Sequence, residues 1–323
     1  MLGEPYRGAE TIASLSPFAV TAPRLDPAKF RDPHVTAKGE ARATVALKAL
    51  QTLWFNTGTL CNLACATCYI ESSPTNDALA YLSLADLTLY LDEVARDRLP
   101  VREIGFTGGE PFMNRDMPAM IALAQARGFE VLVLTNAMRP LRRFEAQLLA
   151  LPRERLTLRV SLDHYSPALH DAERGAGSFA IAIDGIKWLA ANGFSFAIAG
   201  RHLAGESDEQ ARAGYAALFA RLGVPLPPLV LFPEMDAGAD VPEITTACWG
   251  ILDVAPETMM CATQRMVVKR KDASAPAVLA CTLLAYDPQF ELGATLAEAS
   301  RPVALNHPHC ARFCVLGGAS CTG

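Results

Sequence analysis

Between residue 51 and about residue 233, short apolar runs alternate with amphipathic stretches, which restricts this part of the chain to a sheet interleaved with helices. The apolar runs are 52–56, 103–107, 130–135, 156–162, 194–199 and 229–232. Helical periodicity marks 84–97, 115–127, 141–150, 178–192 and 207–222, as in Leu87, Leu91 and Val94. Gly128, Gly193 and Gly223 follow three of these helices, where a left-handed cap residue belongs. Six strands alternating with helices predict an α/β fold with a parallel sheet and right-handed crossovers. A partly closed barrel and an open doubly wound sheet both fit that count. In either, ligands collect at the C-terminal ends of the strands.

The flanks read differently. Residues 1–50 carry five prolines and no period, which predicts an irregular leader. Beyond Pro233, Pro, Cys and turn residues become frequent, and 259–283 reads as a β-hairpin closing around 272–276. The expected organisation is a leader (1–50), an α/β body (51–239) and a small second domain (240–323).

A net charge of −5 argues against an extended nucleic-acid surface, which needs clustered Lys and Arg. The one short basic run, Lys269, Arg270 and Lys271, reads as a solvated hairpin tip. No apolar run approaches the roughly 18 residues of a membrane span. The N-terminus lacks the basic region and apolar core of a signal peptide, so a cytoplasmic location is the default expectation.

Nine cysteines fall in two groups: 61, 65 and 68, then 248, 261, 281, 310, 314 and 321. In a reducing compartment, clustered thiols serve metal or redox chemistry more often than disulfides, so two thiol-bound sites are expected. Cys61, Cys65 and Cys68 follow the first strand within eight residues and suit one face of a cubane cluster. A [4Fe–4S] cluster ordinarily takes four thiolates; three from one loop leave one iron open. Zinc is the competing reading, although it usually takes four ligands from paired short motifs.

The stretch CNLACATCY resembles the cysteine signature of the radical S-adenosylmethionine (SAM) superfamily, with Tyr69 as its aromatic residue. Three more stretches match in order, each after a separate predicted strand. Thr107-Gly108-Gly109-Glu110-Pro111 resembles the GGEP motif, which implies that Glu110 receives the SAM amino group. Gly108 and Gly109 would let the backbone approach a ligand where a Cβ would collide. Leu134-Thr135-Asn136-Ala137 is similar to the family's TNG-type strand end, and Ser161-Leu162-Asp163 to its ribose-contacting position. The run from His170 to Arg174 and Gly175, then Gly177-Ser178-Phe179, resembles a stretch of the peptide-modifying branch. It implies that Arg174 pairs with the SAM carboxylate. The fold then expected is a partial (β/α)6 TIM-like barrel with a small C-terminal hairpin and cysteine-rich domain.

Cys261 and Cys281 bracket the predicted hairpin, and Cys310, Cys314 and Cys321 follow. This resembles an auxiliary-cluster domain of the SPASM or shorter Twitch type. The full SPASM pattern needs more cysteines, so one auxiliary [4Fe–4S] cluster is implied. Its expected ligands are Cys261, Cys281, Cys310 and Cys314, with Cys321 the rival to Cys314. A structural zinc ion is the alternative occupant. Cys248 beside Trp249 reads as a packed core thiol, and His307 and His309 as loop histidines.

The resemblance implies an enzyme that reductively cleaves SAM to a 5′-deoxyadenosyl radical and takes hydrogen from a substrate, oxidising or crosslinking a peptide. It implies a low-potential electron donor of the flavodoxin or ferredoxin type. A small molecule such as an amino-sugar is the alternative substrate, and an iron–sulfur electron carrier or sensor the alternative of another class. Arg201, His202, Glu234, His164 and Tyr165 stand at strand ends as substrate-facing candidates.

Overall fold

The computed structural model describes residues 24–201, 205–232 and 240–318. The expectations placed on His202, Glu234 and Cys321 lie outside the described residues.

Six parallel strands form the body: β1 (Thr52–Asn56), β2 (Glu103–Thr107), β3 (Glu130–Thr135), β4 (Leu156–Ser161), β5 (Ser195–Arg201) and β6 (Leu229–Phe232). They lie side by side in sequence order, each pair in parallel register. Helices α1 (Leu84–Arg96), α2 (Met117–Ala126), α3 (Glu145–Ala150), α4 (Pro167–Arg174), α5 (Ser178–Ala191) and α6 (Asp208–Leu222) fall between them in the chain. The central strands are covered on both faces, and every residue of β1 is buried, whereas β6 is half-buried throughout. Among the described residues the strip is a mixed α/β architecture with no closed barrel, because β6 stands at an edge of the sheet.

The opposite edge is extended by the C-terminal region. Strand β7 (Gln264–Val268) pairs parallel with β1, and β8 (Ala277–Leu279) and β9 (Glu291–Gly293) follow antiparallel. The expected hairpin is therefore the β7–β8 pair, and the sheet runs through nine strands. Trp54 ties the two parts together: its ring is fully buried and its Nε1 donates to Gln264 Oε1 at 2.9 Å. A Cβ on Gly105 would sit 2.3 Å from that ring, so only glycine lets β2 pass it. Residues 41–50 also pack on the body, with Thr44–Val45 pairing antiparallel to Val303–Ala304.

Local chemistry explains the helix ends. Ser83 and Ser207 each form a capping box, with Asp86 and Gln210 respectively. Gly128, Gly193 and Gly223 adopt positive φ (89°, 68° and 66°) at the helix ends where the sequence put them. Two differences stand out. The helix expected at 141–150 is broken into Arg139–Arg142 and α3, with the Phe144 ring set between them against Phe112 (6.3 Å). Helix α4 was not anticipated, although Pro167 at its first position signals a start. Among the described residues no helix is long and apolar enough to cross a membrane.

Candidate active site

The chain leaves β1 into a long loop that carries Cys61, Cys65 and Cys68. Its two sides are tied by Cys61 N–H to Ser73 O (3.0 Å) and Leu79 N–H to Thr59 Oγ1 (3.0 Å). The hydroxyl of Tyr286, from the C-terminal region, donates to Ile70 O at 2.8 Å. All three thiols line one cavity at the C-terminal mouth of the strands. Two backbone donors already point at sulfur: Leu63 N–H to Cys61 Sγ (3.4 Å) and Ser72 N–H to Cys68 Sγ (3.3 Å). Burial pushes the Cys61 thiol up to about 12 and also raises Cys65, against the pull of Arg174. Buried thiols of this kind lose their protons when a metal takes its place.

Gly108 and Gly109 line the same cavity, but the collisions they avoid are with protein. A Cβ on Gly109 would lie 2.3 Å from Leu60 O, and one on Gly108 (φ 138°) 2.5 Å from Gly58 O. The pair lets the β2 end abut the start of the cysteine loop, and Gly109 N–H donates to Gly58 O at 2.8 Å. Gly109→Ala is therefore expected to cost about 1–3 kcal/mol and to displace the loop. Iron content after anaerobic reconstitution, with a urea melt, checks this.

Glu110, 2% exposed, is hydrogen-bonded inside the protein. Oε1 accepts from Thr135 Oγ1 (2.8 Å) and Phe112 N–H (3.2 Å), and Oε2 from Asn136 N–H (2.8 Å). Burial nevertheless pushes its carboxyl up to about 7. Asn136 faces the cavity and donates from Nδ2 to Asn62 Oδ1 at 2.9 Å, bracing the cysteine loop from β3.

Strand β4 and its continuation supply Ser161 and Asp163, and α4 supplies Arg174; all three line the cavity. Asp163 accepts both arms of the Arg174 guanidinium (2.8 and 3.1 Å), with Arg201 Nε 3.3 Å away. Burial works against the Asp163 charge, but Arg174 and Arg201 hold its carboxyl below the ordinary range. Arg201 also bonds the Thr67 hydroxyl, which donates to Glu173 Oε2 at 2.7 Å, so β5 and α4 grip the cysteine loop together. Tyr69 is half-buried at the cavity wall.

His164 and Tyr165 do not face this cavity. Tyr165 OH donates to Glu206 Oε1 (2.5 Å), and His164 Nε2 lies 3.4 Å from Glu206 Oε2. The residue that sequence reasoning missed is Arg159, 5% exposed and lining the cavity from within β4. A lone cation inside an apolar strand, two positions before Ser161, was the available signal.

The C-terminal thiols do not line this cavity, although residues next to two of them do. The Cys310 thiol is raised well above the ordinary value, by burial first and then by the charges of Cys281, Cys314 and Cys261. Leu283, two residues past Cys281, and Phe313, between Cys310 and Cys314, line the front cavity. Phe313 stacks on Phe232 at 5.8 Å. Cys310 and Cys314 sit on a π-helical turn, Cys310–Val315. Arg265 is 1% exposed and, among the described residues, donates only to main-chain carbonyls, those of Cys261, Gln264, Ala299 and Arg301. A buried cation without a carboxylate suits an anionic group held by the adjacent thiols. Cys248 bonds Thr245, and His307 and His309 pack on each other (4.6 Å). None of the eight described cysteines is in a disulfide, and no three His, Cys, Asp or Glu among the described residues close up as ligands of one ion.

A parallel α/β sheet whose strand ends collect three thiols of one loop and an acid–arginine pair defines a thiol-rich cofactor-binding protein. Residues 55–213 match the radical SAM superfamily, and the chain belongs to that superfamily. Its members bind a [4Fe–4S] cluster and SAM. Mycofactocin maturase MftC of Mycobacterium ulcerans is 35% identical over 185 residues, 56% of this chain and 47% of that protein. The subtilosin biosynthesis protein AlbA of Bacillus subtilis is 33% identical over 140 residues, 43% of this chain and 30% of that protein. The chain thus spans less than half the length of either relative. Among solved structures, Streptococcus suis SuiB bound to SAM superposes with a TM-score of 0.57 at 14% identity, covering 76% of this chain and 64% of SuiB. AnSMEcpe with bound AdoMet gives 0.55 at 13% identity, covering 81% and 82%. These two share the fold.

Proposed function

We propose that this chain is a peptide-modifying radical SAM enzyme, with Cys61, Cys65 and Cys68 holding the SAM-binding [4Fe–4S] cluster. The observation that carries the reading is the shared cavity: three thiols from one loop, Asn136, Ser161, Asp163 and Arg174 all face it. When bound, the cluster and SAM supply reductive cleavage to a 5′-deoxyadenosyl radical. The chain's residues do the positioning. Gly108 and Gly109 seat the thiol loop against β2, while Thr67 latches it to Arg201 and Glu173. Arg174, aligned by Asp163, presents a fixed planar fork to the SAM carboxylate. Glu110 does not line the cavity; its bonds to Thr135, Phe112 and Asn136 fix the strand end that presents Asn136 to the site. Phe232, Phe313 and Leu283 wall the cavity with apolar surface and exclude water around the reacting centre.

The relatives' names favour a peptide substrate: MftC is a maturase, AlbA serves bacteriocin biosynthesis, and one SuiB structure holds the precursor peptide SuiA. We read Cys261, Cys281, Cys310 and Cys314, within the segment 240–323, as the residues that would hold an auxiliary cluster, which would supply an electron acceptor for oxidation of the substrate. A cubane holds its thiolates farther apart than one zinc ion does. We read the setting as cytoplasmic, since free clustered thiols and a flavodoxin- or ferredoxin-type donor suit a reducing compartment. The test is incubation of the reconstituted, dithionite-reduced protein with SAM. 5′-Deoxyadenosine is expected at a rate well above the cluster-free protein; none would assign the chain to electron carriage or sensing.

A further inference from the structure

A shallow groove lies on the outer side of the cysteine loop. Leu63, Met113 and Met138 form its apolar floor, and Arg139, Arg142 and Arg143 stand along it. The floor is continuous with the thiol loop. Asn62 Nδ2 lies 3.7 Å from Met138 Sδ, and the Leu63 amide that follows Cys61 donates to its sulfur at 3.4 Å. Leu63, two residues after Cys61 in the loop, is thus shared between the groove lining and the surroundings of that thiol.

The charge here runs against the whole chain, whose balance is −5. Arg139 and Arg143 are exposed and have no carboxylate partner among the described residues. Arg142 is held, paired with Glu145 and laid over the Trp188 ring at 4.9 Å. Arg174 lines both this groove and the cavity of the front thiols, so positive charge runs from one to the other. Methionine floors adapt to a partner without demanding one fixed fit. Unpaired cations around a small apolar centre favour fast, salt-sensitive, transient docking of an acidic partner. Redox encounters use small interfaces of this kind.

We infer that this groove is the docking site of a small acidic electron-transfer protein carrying flavin or an iron–sulfur centre, which delivers the electron through the loop at Leu63 to the front cluster. The inference rests on the reading of Cys61, Cys65 and Cys68 as the cluster site. In the step, the reduced carrier loses one electron and the cluster gains it; no atom or proton is transferred. The arginines set the approach, and the Leu63 and Met138 surface the contact.

The test uses the reconstituted full chain, a bacterial flavodoxin as the carrier, and the double variant Arg139→Glu with Arg143→Glu. Binding of oxidised flavodoxin is titrated directly, and 5′-deoxyadenosine formation is followed with either reduced flavodoxin or dithionite. The expected result is flavodoxin binding weakened about tenfold or more, with the dithionite-driven rate retained. Wild-type binding should also weaken as salt rises. Because the wild-type salt dependence is read on unaltered protein, a misfolded variant does not remove the test. Flavodoxin binding that ignores both the charge reversal and salt overturns the assignment. So does unchanged flavodoxin binding with loss of the dithionite-driven 5′-deoxyadenosine rate, which would tie the groove to SAM cleavage rather than to the carrier. Wild-type protein that makes no 5′-deoxyadenosine with dithionite would fail the functional reading instead, and the binding titration would still judge the groove.

Discussion

Replacing Cys61, Cys65 and Cys68 together by Ala is expected to abolish 5′-deoxyadenosine formation while leaving the fold in place. Iron and acid-labile sulfide should fall from about eight to about four per chain if each thiol set holds one cubane. The substitution is gentle on stability for a definable reason. The loop is held by bonds that do not involve sulfur, among them Cys61 N–H to Ser73 O, Asn136 to Asn62, Thr67 to Glu173 and Tyr286 to Ile70. Far-ultraviolet circular dichroism and the urea midpoint should therefore change little. Retained SAM cleavage by the triple variant would remove the front thiols from the chemistry. Loss of all iron would instead show that the two thiol sets depend on one another.

Asp163→Ala should have the largest effect on stability of any single change at the site. The carboxylate is 3% exposed and offsets two guanidinium groups, Arg174 at 2.8 Å and Arg201 at 3.3 Å. Its removal leaves both cations facing each other across a partly dry cavity, which costs about 3–5 kcal/mol. SAM affinity should fall with it, because Arg174 loses the partner that orients its fork. The pH dependence has a fixed sign. Asp163 is held below its ordinary 3.8, so its stabilisation is present above that value and is lost as pH falls through the lowered one. Wild-type and variant urea midpoints should therefore differ at neutral pH and converge in strong acid. Asp163→Asn keeps hydrogen-bonding capacity without the charge and should fall between them. A variant as stable as wild type at neutral pH would show that the arginines are compensated elsewhere.

The sheet was legible because its signals are local. Strands 52–56, 103–107, 130–135 and 229–232 were placed at their observed bounds from apolar runs alone, since a strand buried on both faces cannot hide its composition. The front thiols were equally plain, because a loop that holds them brings its ligands from eight consecutive residues. The helix break at Phe144 was not legible; the cause is a ring packing against Phe112, more than thirty residues earlier. Arg159 was passed over because a cation in a strand says nothing of which face it takes until the neighbouring strands are known.

Chain order and residue type were enough to state the strand–helix alternation, the two thiol sets and the superfamily. Non-local contacts supplied the rest. Gly108 and Gly109 serve the cysteine loop because of where the Gly58 and Leu60 carbonyls lie. Arg174 from α4 and Arg201 from β5 meet at Asp163 only in the folded chain. Strand β7 joins β1 across about two hundred residues of chain, and the C-terminal region so attached brings Leu283 and Phe313 to the wall of the front cavity. Patterns of burial are written residue by residue along the chain. Which buried charges and backbones meet is a property of packing, and no local stretch encodes it.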